Sequence, residues 1–289
     1  MAKANILVQL DADAQPSVFD SVVAVDAGVA HLFRHGGVSP QDVRGLVHGA
    51  LFTRGFDDLK HTAVFVGGSN VAAGEALLDE VRKACFGPFR VSAMLDSGGA
   101  NTTAAAAVLV AGKHLDLRGA KATVLAASGP VGSRVVRLLA RAGAEVVVAS
   151  RDAARAEAVC EAVRKRVPEA KLKAAATPDA GGTKAALEGS ALVVAAGAAG
   201  ISLLPKVLWQ GHASLKVAID LNAVPPAGIE GIEVADKAVD KDGVLGYGAV
   251  GVGGTKMKIH RAAIQRLFES NDAVLDAEEI YELGRTFAK

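Results

Sequence analysis

The chain has 289 residues, 51% hydrophobic and 22% charged, with 32 Lys and Arg against 31 Asp and Glu and a formal charge of +1. That balance excludes a disordered or fibrous chain, and it leaves neither a basic footprint for nucleic acid nor a polybasic surface for anionic lipid. Aromatic residues make up only 4% and the 32 Gly are scattered among Ala and Val, which favours βα units with tight turns; at roughly 100 to 200 residues per domain, two domains are expected.

From the N-terminus, Ile6 to Leu10 is a short apolar run ended by Asp11. It reads as a first β-strand rather than a signal peptide, whose core needs roughly 7 to 15 uninterrupted apolar residues. Ser17 to Val29 follows at helical period, then Ala63 to Val66 with Val71 to Cys85, and Val91 to Leu95 with Thr103 to Lys113. Strand-like runs alternating with helix-like runs imply a mainly parallel sheet with helices on its faces. The glycine turn Gly67-Gly68-Ser69 between two of these elements lacks the spacing of a dinucleotide fingerprint and is expected to be a structural turn lining the interdomain cleft. A second block opens near Lys121: Thr123 to Ala126, a Gly/Pro turn, a helix to Arg141, then Glu145 to Ala149, a helix from Ala153 to Val167, and Leu192 to Ala196. That is the βαβαβ order of a mononucleotide-binding half. Pro225, Pro226, Gly228 and Gly231 mark a loop-rich return, Gly246 to Gly254 reads as a flexible glycine-dense loop, and Met257 to Phe268 and Glu278 to Thr286 read as closing helices. Ala104 to Ala111 and Ala191 to Ile201 are too short to cross a bilayer, which takes about 20 apolar residues. Cys85 and Cys160 stand far apart with no CxxC pair and no clustered His, which argues against a disulfide framework or a zinc site and for a reducing cytoplasm.

Ala127-Ser128-Gly129-Pro130-Val131-Gly132 follows a strand and opens a helix, the context that a dinucleotide fingerprint requires, with Ala127 standing at its first glycine position. Backbone N–H groups and the helix dipole converge there on a pyrophosphate. About 20 residues further on, where an NAD enzyme carries a carboxylate for the ribose 2′-hydroxyl, this chain has Ser150 and Arg151, with Arg155 one helical turn later. A hydroxyl and a guanidinium complement a 2′-phosphate, so NADP is favoured over NAD; the bland alternative is that the two arginines decorate a solvated helix start. The expected architecture is two open α/β domains. Residues 1–115 form a substrate domain, residues 116–256 a Rossmann-type NADP-binding domain, and residues 257–289 are helices packing back on the first domain.

Open α/β sheets bind ligands at the carboxyl ends of their strands. That rule nominates Asp11, Asp13, Asp96, Ser97, Asn101, Thr102, Ala196, Gly197 and Asn222, together with Gly253 and Lys256 after the glycine loop. For Asp96, Asn101 and Thr102 the competing reading is turn and N-cap chemistry. Of Lys256, Lys258 and His260 only one is expected to point inward. No Ser-His-Asp or Cys-His signature and no GxSxG elbow is present, which fits hydride transfer, where the cofactor carries the chemistry, better than hydrolysis.

Several longer strings resemble one family. They are Asp11-Ala12-Asp13 with Pro16-Ser17-Val18-Phe19-Asp20; Phe86-Gly87-Pro88-Phe89-Arg90-Val91-Ser92; Met94-Leu95-Asp96-Ser97 with Asn101-Thr102-Thr103; Gly129-Pro130-Val131-Gly132; Gly253-Gly254 with Lys256; and Leu267-Phe268-Glu269-Ser270 with Asp276-Ala277-Glu278-Glu279-Ile280-Tyr281. Together they resemble the NADP-dependent methylene-tetrahydromethanopterin dehydrogenases of methylotrophic bacteria. The resemblance implies oxidation of the methylene bridge of a reduced pterin to methenyl with NADP+ as acceptor. Abundant apolar Ala and Val faces on short helices, with few aromatic anchors, favour a homo-oligomer, in line with the family, and the charge balance, the short apolar runs and the absence of clustered His and Cys point to a cytoplasmic protein without nucleic acid, membrane or metal partners. The resemblance also implies that Lys256 lies at the pterin. A protonated amine next to the developing cation would raise the barrier, so Lys256 is expected to orient or polarise the ring, while Asp13 and Asp96 have the sign that helps the product cation. Two other functions stay open at this point: a methylene-tetrahydrofolate dehydrogenase and a non-enzymatic NADP(H)-binding sensor.

Overall fold

The computed structural model describes residues 3–287. In chain order the elements are β1 (Ile6–Leu10), α1 (Val18–Asp26), β2 (His31–His35), α2 (Pro40–Leu51), β3 (Thr62–Val66), α3 (Val71–Ala84), β4 (Ser92–Leu95), α4 (Ala100–Ala111), β5 (Lys121–Leu125), α5 (Pro130–Arg141), β6 (Glu145–Ser150), α6 (Ala153–Arg164), β7 (Lys171–Ala176), α7 (Ala180–Leu187), β8 (Leu192–Ala195), α8 (Lys206–Trp209), β9 (Val217–Asp220), β10 (Lys237–Lys241), β11 (Val244–Tyr247), α9 (Ala249–Arg266), β12 (Val274–Leu275) and α10 (Ala277–Arg285). Two compact units result, one of residues 3–102 with 257–287 and the other of residues 103–256.

The first unit is a five-stranded parallel sheet in the order β12-β4-β3-β1-β2. Its central strand β3, Thr-Ala-Val-Phe-Val, is buried at every position, as a parallel strand covered on both faces must be. One core lies between the sheet and helices α2 and α3, where Val43, Val47 and Leu51 meet Leu77 and Val81 over Leu10, Val64 and Leu95. Strand β2 was not legible as a strand because it is an edge: three of its five residues are exposed, and His31, Arg34 and His35 break the apolar pattern. The two-residue β12 escaped notice for its brevity. Pairing with β4, it carries the C-terminal segment into the first unit's sheet.

The second unit holds a seven-stranded sheet ordered β10-β11-β9-β8-β5-β6-β7, parallel throughout except for the antiparallel β10. From β5 the chain moves outward through β6 and β7, then returns to the other side of β5 for β8, β9 and β11. The order therefore reverses between β5 and β8, the switch point at which α/β sheets bind nucleotides. The core centres on Trp209, whose Nε1 donates to the Glu230 carbonyl at 3.0 Å, together with Leu125, Leu187, Val193 and Ile229.

The glycine-dense segment 246–254 is a correction to the sequence reading. It is not a flexible loop: Gly246 lies inside β11, and Gly251, Gly253 and Gly254 lie inside the 18-residue α9. Glycine is needed there for approach rather than freedom. A Cβ on Gly248 would collide with the Glu233 carbonyl, and one on Gly251 with that of Asp236.

Candidate active site

In the second unit the turn after β5 is shaped by Ala126, whose φ of +53 puts a non-glycine residue in the left-handed region. The chain then reaches Gly129, the N-cap of α5, with Pro130 in the first turn and no side chain capping the helix. The first-turn N–H groups are thus left for an outside acceptor. Gly132 is required: a Cβ there would sit 2.8 Å from both the Ala126 carbonyl and the Ala127 Cα. Ser150 ends β6, buried, with its hydroxyl 3.3 Å from that of Ser128. Arg151 and Arg155 are both exposed, on either side of Asp152, whose carboxylate caps α6 by accepting from Ala154 N at 2.8 Å. Ala196 and Gly197 follow β8, and Gly129 lies so near that a Cβ on it would stand 3.5 Å from the Ala196 carbonyl. The turn, the ends of β6 and β8, and the uncapped α5 therefore surround the switch point. An anionic dinucleotide fits this donor set and this glycine cradle.

Asn222 spans its own loop with one donor and one acceptor of its amide. Its Nδ2 donates to the Pro226 carbonyl at 2.9 Å and its Oδ1 accepts from Val224 N at 3.0 Å. Beside it stands Asp220, a residue the sequence reading missed. This carboxylate ends β9, is 2% exposed, and accepts from Asn222 N and Ile229 N, each at 3.0 Å. Burial pushes its carboxyl above the usual range, against the N–H groups of Ile229, Asn222 and Gly228, which pull it down. Asp220 and Asn222 line a pocket of ≈ 490 Å³ with Pro225, Pro226, Glu230 and Val234. A signal for Asp220 existed: like Asp11 after β1 and Asp96 after β4, it closes an apolar strand.

In the first unit the carboxyl ends of β1, β3 and β4 are stitched together. Asp11, fully buried, accepts from Asp13 N at 2.9 Å and Ser17 N at 3.2 Å, and Asp13 accepts from both the N–H (2.8 Å) and the hydroxyl (2.9 Å) of Ser69. Ser97 donates to the Gly67 carbonyl and Gly98 N to that of Gly68, both at 2.7 Å. The Gly67-Gly68-Ser69 turn is thus tied to the two carboxylate loops. Asp96 receives Thr102 N at 2.9 Å and the Thr102 hydroxyl at 2.6 Å, and Asn101 donates to the Leu95 carbonyl at 2.6 Å and to Asp276 at 3.0 Å. Asp96, Ser97, Asn101 and Thr102 are all 2% exposed or less, so each has a structural occupation in addition to any contact with a ligand.

Of the alternating set on α9, His260 is the inward residue. It is fully buried, its Nδ1 lies 3.9 Å from Asp96 Oδ2, and its ring stacks on Phe65 at 5.8 Å and 17°. Lys256 is half-buried, Lys258 exposed and Gly253 half-buried. Among the described residues no group of three or more His, Cys, Asp or Glu could hold a metal, and no helix is long and apolar enough to cross a membrane.

Comparison with known proteins converges on one family. Residues 18–98 match the family described as methylene-tetrahydromethanopterin dehydrogenase, N-terminal. A protein of Methylorubrum extorquens (strain AM1) named bifunctional protein MdtA is 47% identical over 286 residues, covering 98% of this chain and 99% of its own. The NAD(P)-dependent methylenetetrahydromethanopterin dehydrogenase of the same organism is 30% identical over 279 residues, 93% of each chain. Among solved structures, shikimate 5-dehydrogenase from Listeria monocytogenes, bound to shikimate and NAD, aligns at TM-score 0.57 and 14% identity over 97% of this chain and 96% of its own. Quinate dehydrogenase from Corynebacterium glutamicum in complex with NAD aligns at 0.51 and 15% over 98% and 99%. At such identities these two share the architecture alone. The sequence relatives carry more, because their similarity runs through both units and nearly the full length of every partner: the chain belongs to the methylene-tetrahydromethanopterin dehydrogenase family.

Proposed function

We propose that this protein oxidises the methylene bridge of methylene-tetrahydromethanopterin to methenyl, passing the hydride to NADP+. The observation that carries the reading is the uncapped start of α5 over Gly132 at the sheet's switch point, in a chain that matches an NAD(P)-dependent methylenetetrahydromethanopterin dehydrogenase over 93% of its length. The nicotinamide, when bound, supplies the hydride acceptor. Ser128, Gly129, Val131 and Gly132 hold the pyrophosphate with backbone N–H groups, and Pro130, which has none, fixes the first turn of α5 beside it. Ser150, Arg151 and Arg155 take the 2′-phosphate, and Ala196, Gly197 and Gly253 leave room by having little or no side chain. Asn222 contributes through the shape of its loop.

The bridge carbon lies between two nitrogens whose lone pairs stabilise the cation left when hydride departs, so no general base is needed at that step. Asp13 and Asp96 lend negative potential to the developing cation, with Ser97, Asn101 and Thr102 holding that loop rigid, and Lys256 orients the pterin ring. We place the reaction in the cytoplasm, on a small-molecule substrate without nucleic acid or membrane partners.

The test is NADPH absorbance during incubation with NADP+ and methylene-tetrahydromethanopterin. A parallel assay uses methylene-tetrahydrofolate, because the two carriers share the reacting five-membered ring. NADPH formation from the methanopterin carrier is expected. Turnover of the folate carrier alone would make this a methylene-tetrahydrofolate dehydrogenase, and NADP+ binding without turnover of either carrier would make it a sensor.

A further inference from the structure

We infer that Asp220 makes this protein discriminate between the two redox states of its coenzyme, its carboxylate favouring the positively charged, oxidised nicotinamide over the neutral, reduced one. With the coenzyme bound as proposed above, on which this inference rests, the sheet order gives the direction of the dinucleotide. Strand β6, ending in Ser150, lies on one side of β5, and β8 and then β9 lie on the other. A 2′-phosphate at Ser150 and Arg151 therefore sends the nicotinamide half across β8 toward β9. Neighbouring strands stand about 4.8 Å apart, so two spacings, about 10 Å, lead from the Gly129 turn to the end of β9. Asp220 is the last residue of that strand.

The pocket of ≈ 490 Å³ at this strand end is of small-ligand size. Among the described residues Asp220, Glu230 and Glu233 line it, and no Lys, Arg or His does. Asp220 reaches the end of β8 as well: a Cβ on Gly228 would stand 2.7 Å from Asp220 Oδ1 and 3.4 Å from Ala195 Cβ. Both carboxylate oxygens accept backbone N–H groups, Oδ1 from Asn222 and Oδ2 from Ile229, which favours the ionised form and fixes its orientation. Glu230 and Glu233 are exposed, whereas Asp220 is buried, so salt and water screen its charge least.

Hydride transfer removes one positive charge from the nicotinamide and leaves the ribose, the pyrophosphate and the 2′-phosphate unchanged. A fixed negative charge at the nicotinamide end therefore strengthens the binding of NADP+ and leaves that of NADPH nearly alone. An acid that only anchors the 222–229 loop would, when replaced, weaken both coenzymes alike.

Isothermal titration calorimetry of the full chain at neutral pH and low ionic strength, with NADP+ and with NADPH and no pterin, separates these cases. Asp220→Asn, which keeps the size of the side chain, is expected to raise the ratio of the NADP+ to the NADPH dissociation constant at least fivefold. Glu233→Lys reverses an exposed charge on the same pocket, and it should raise that ratio at least twofold whether or not the buried variant folds. An equal loss for both coenzymes in Asp220→Asn would overturn the inference, as would an unchanged ratio in Glu233→Lys should Asp220→Asn not fold. A wild type that binds neither coenzyme would instead remove the coenzyme reading itself, and this inference with it.

Discussion

Ala126 and Arg151 mark the two ends of the coenzyme argument at the scale of single residues. Ala126 occupies left-handed backbone at φ +53, which costs an L-residue about 1–2 kcal/mol, and glycine recovers this less its own greater entropy of unfolding. Ala126→Gly should therefore stabilise the fold by about 0.5–1 kcal/mol in urea unfolding, and an unchanged midpoint would show that the turn is not strained. Arg151 stands exposed just beyond β6, where solvent reaches it when no coenzyme is bound. If it grips a 2′-phosphate, Arg151→Ala loses a charge-assisted hydrogen bond of about 1.5–3 kcal/mol, raising KM for NADP+ about 10- to 150-fold and that for NAD+ little. Equal losses for both coenzymes would remove Arg151 from the phosphate site. The position of Arg151 could be read from spacing alone, since the strand end about 20 residues after a βα turn is a local feature of the chain, whereas Ala126 reads in sequence as the end of the strand and only its backbone makes it a turn residue. The loop that the Asn222 amide spans, from Val224 to Pro226, appears only in the fold.

Helix α9 shows what an element decides. Its glycines look like a flexible loop in sequence because glycine costs a helix interior about 1 kcal/mol per residue. The backbone carbonyls of Glu233 and Asp236, remote in sequence, press against Gly248 and Gly251 and make a larger residue impossible. Once the segment is helical, Lys256 and His260 fall one turn apart on the same side, and Lys258 turns toward solvent. Lys256→Ala should lower turnover with the methylene pterin while leaving NADP+ affinity nearly unchanged. Lys258→Ala should be kinetically silent and within about 0.5 kcal/mol of wild-type stability. Wild-type turnover for Lys256→Ala would take that residue out of the reaction, and a fall for Lys258→Ala would exchange their roles.

The whole molecule has two tyrosines, and burial raises both. Tyr247 closes β11. For Tyr281 on α10, Arg285 offsets the effect of burial in part and Glu282 adds to it. A phenol whose folded pKa lies above its unfolded value of about 10 keeps its contribution to stability below that pH. The contribution is lost as pH rises toward the folded value, because the unfolded chain releases the proton first. Ultraviolet titration of tyrosinate in the folded protein should show both midpoints above 10, and thermal stability should fall over the same interval. Tyr247→Phe and Tyr281→Phe should each flatten that fall. A folded midpoint at or below 10 would contradict the burial of either ring.

Periodicity and spacing sufficed for the alternating α/β order, the βα turn at Ala127 to Gly132, the basic strand end at Ser150 and Arg151, and the carboxylates Asp11 and Asp96 that close apolar strands. Each depends on residues within about one turn or one strand of one another, where backbone preference and side-chain alternation act directly. The edge strand β2, the two-residue β12, the helical state of residues 249–254, and the burial of Asp220 and His260 came only with the assembled fold. Each follows from neighbours tens to hundreds of residues away: β1 along His31–His35, β4 beside Val274–Leu275, the 233–236 turn against Gly248 and Gly251, and Asp96 and Phe65 around His260. Desolvation and close approach are properties of packed surroundings, and no local pattern in the chain carries them.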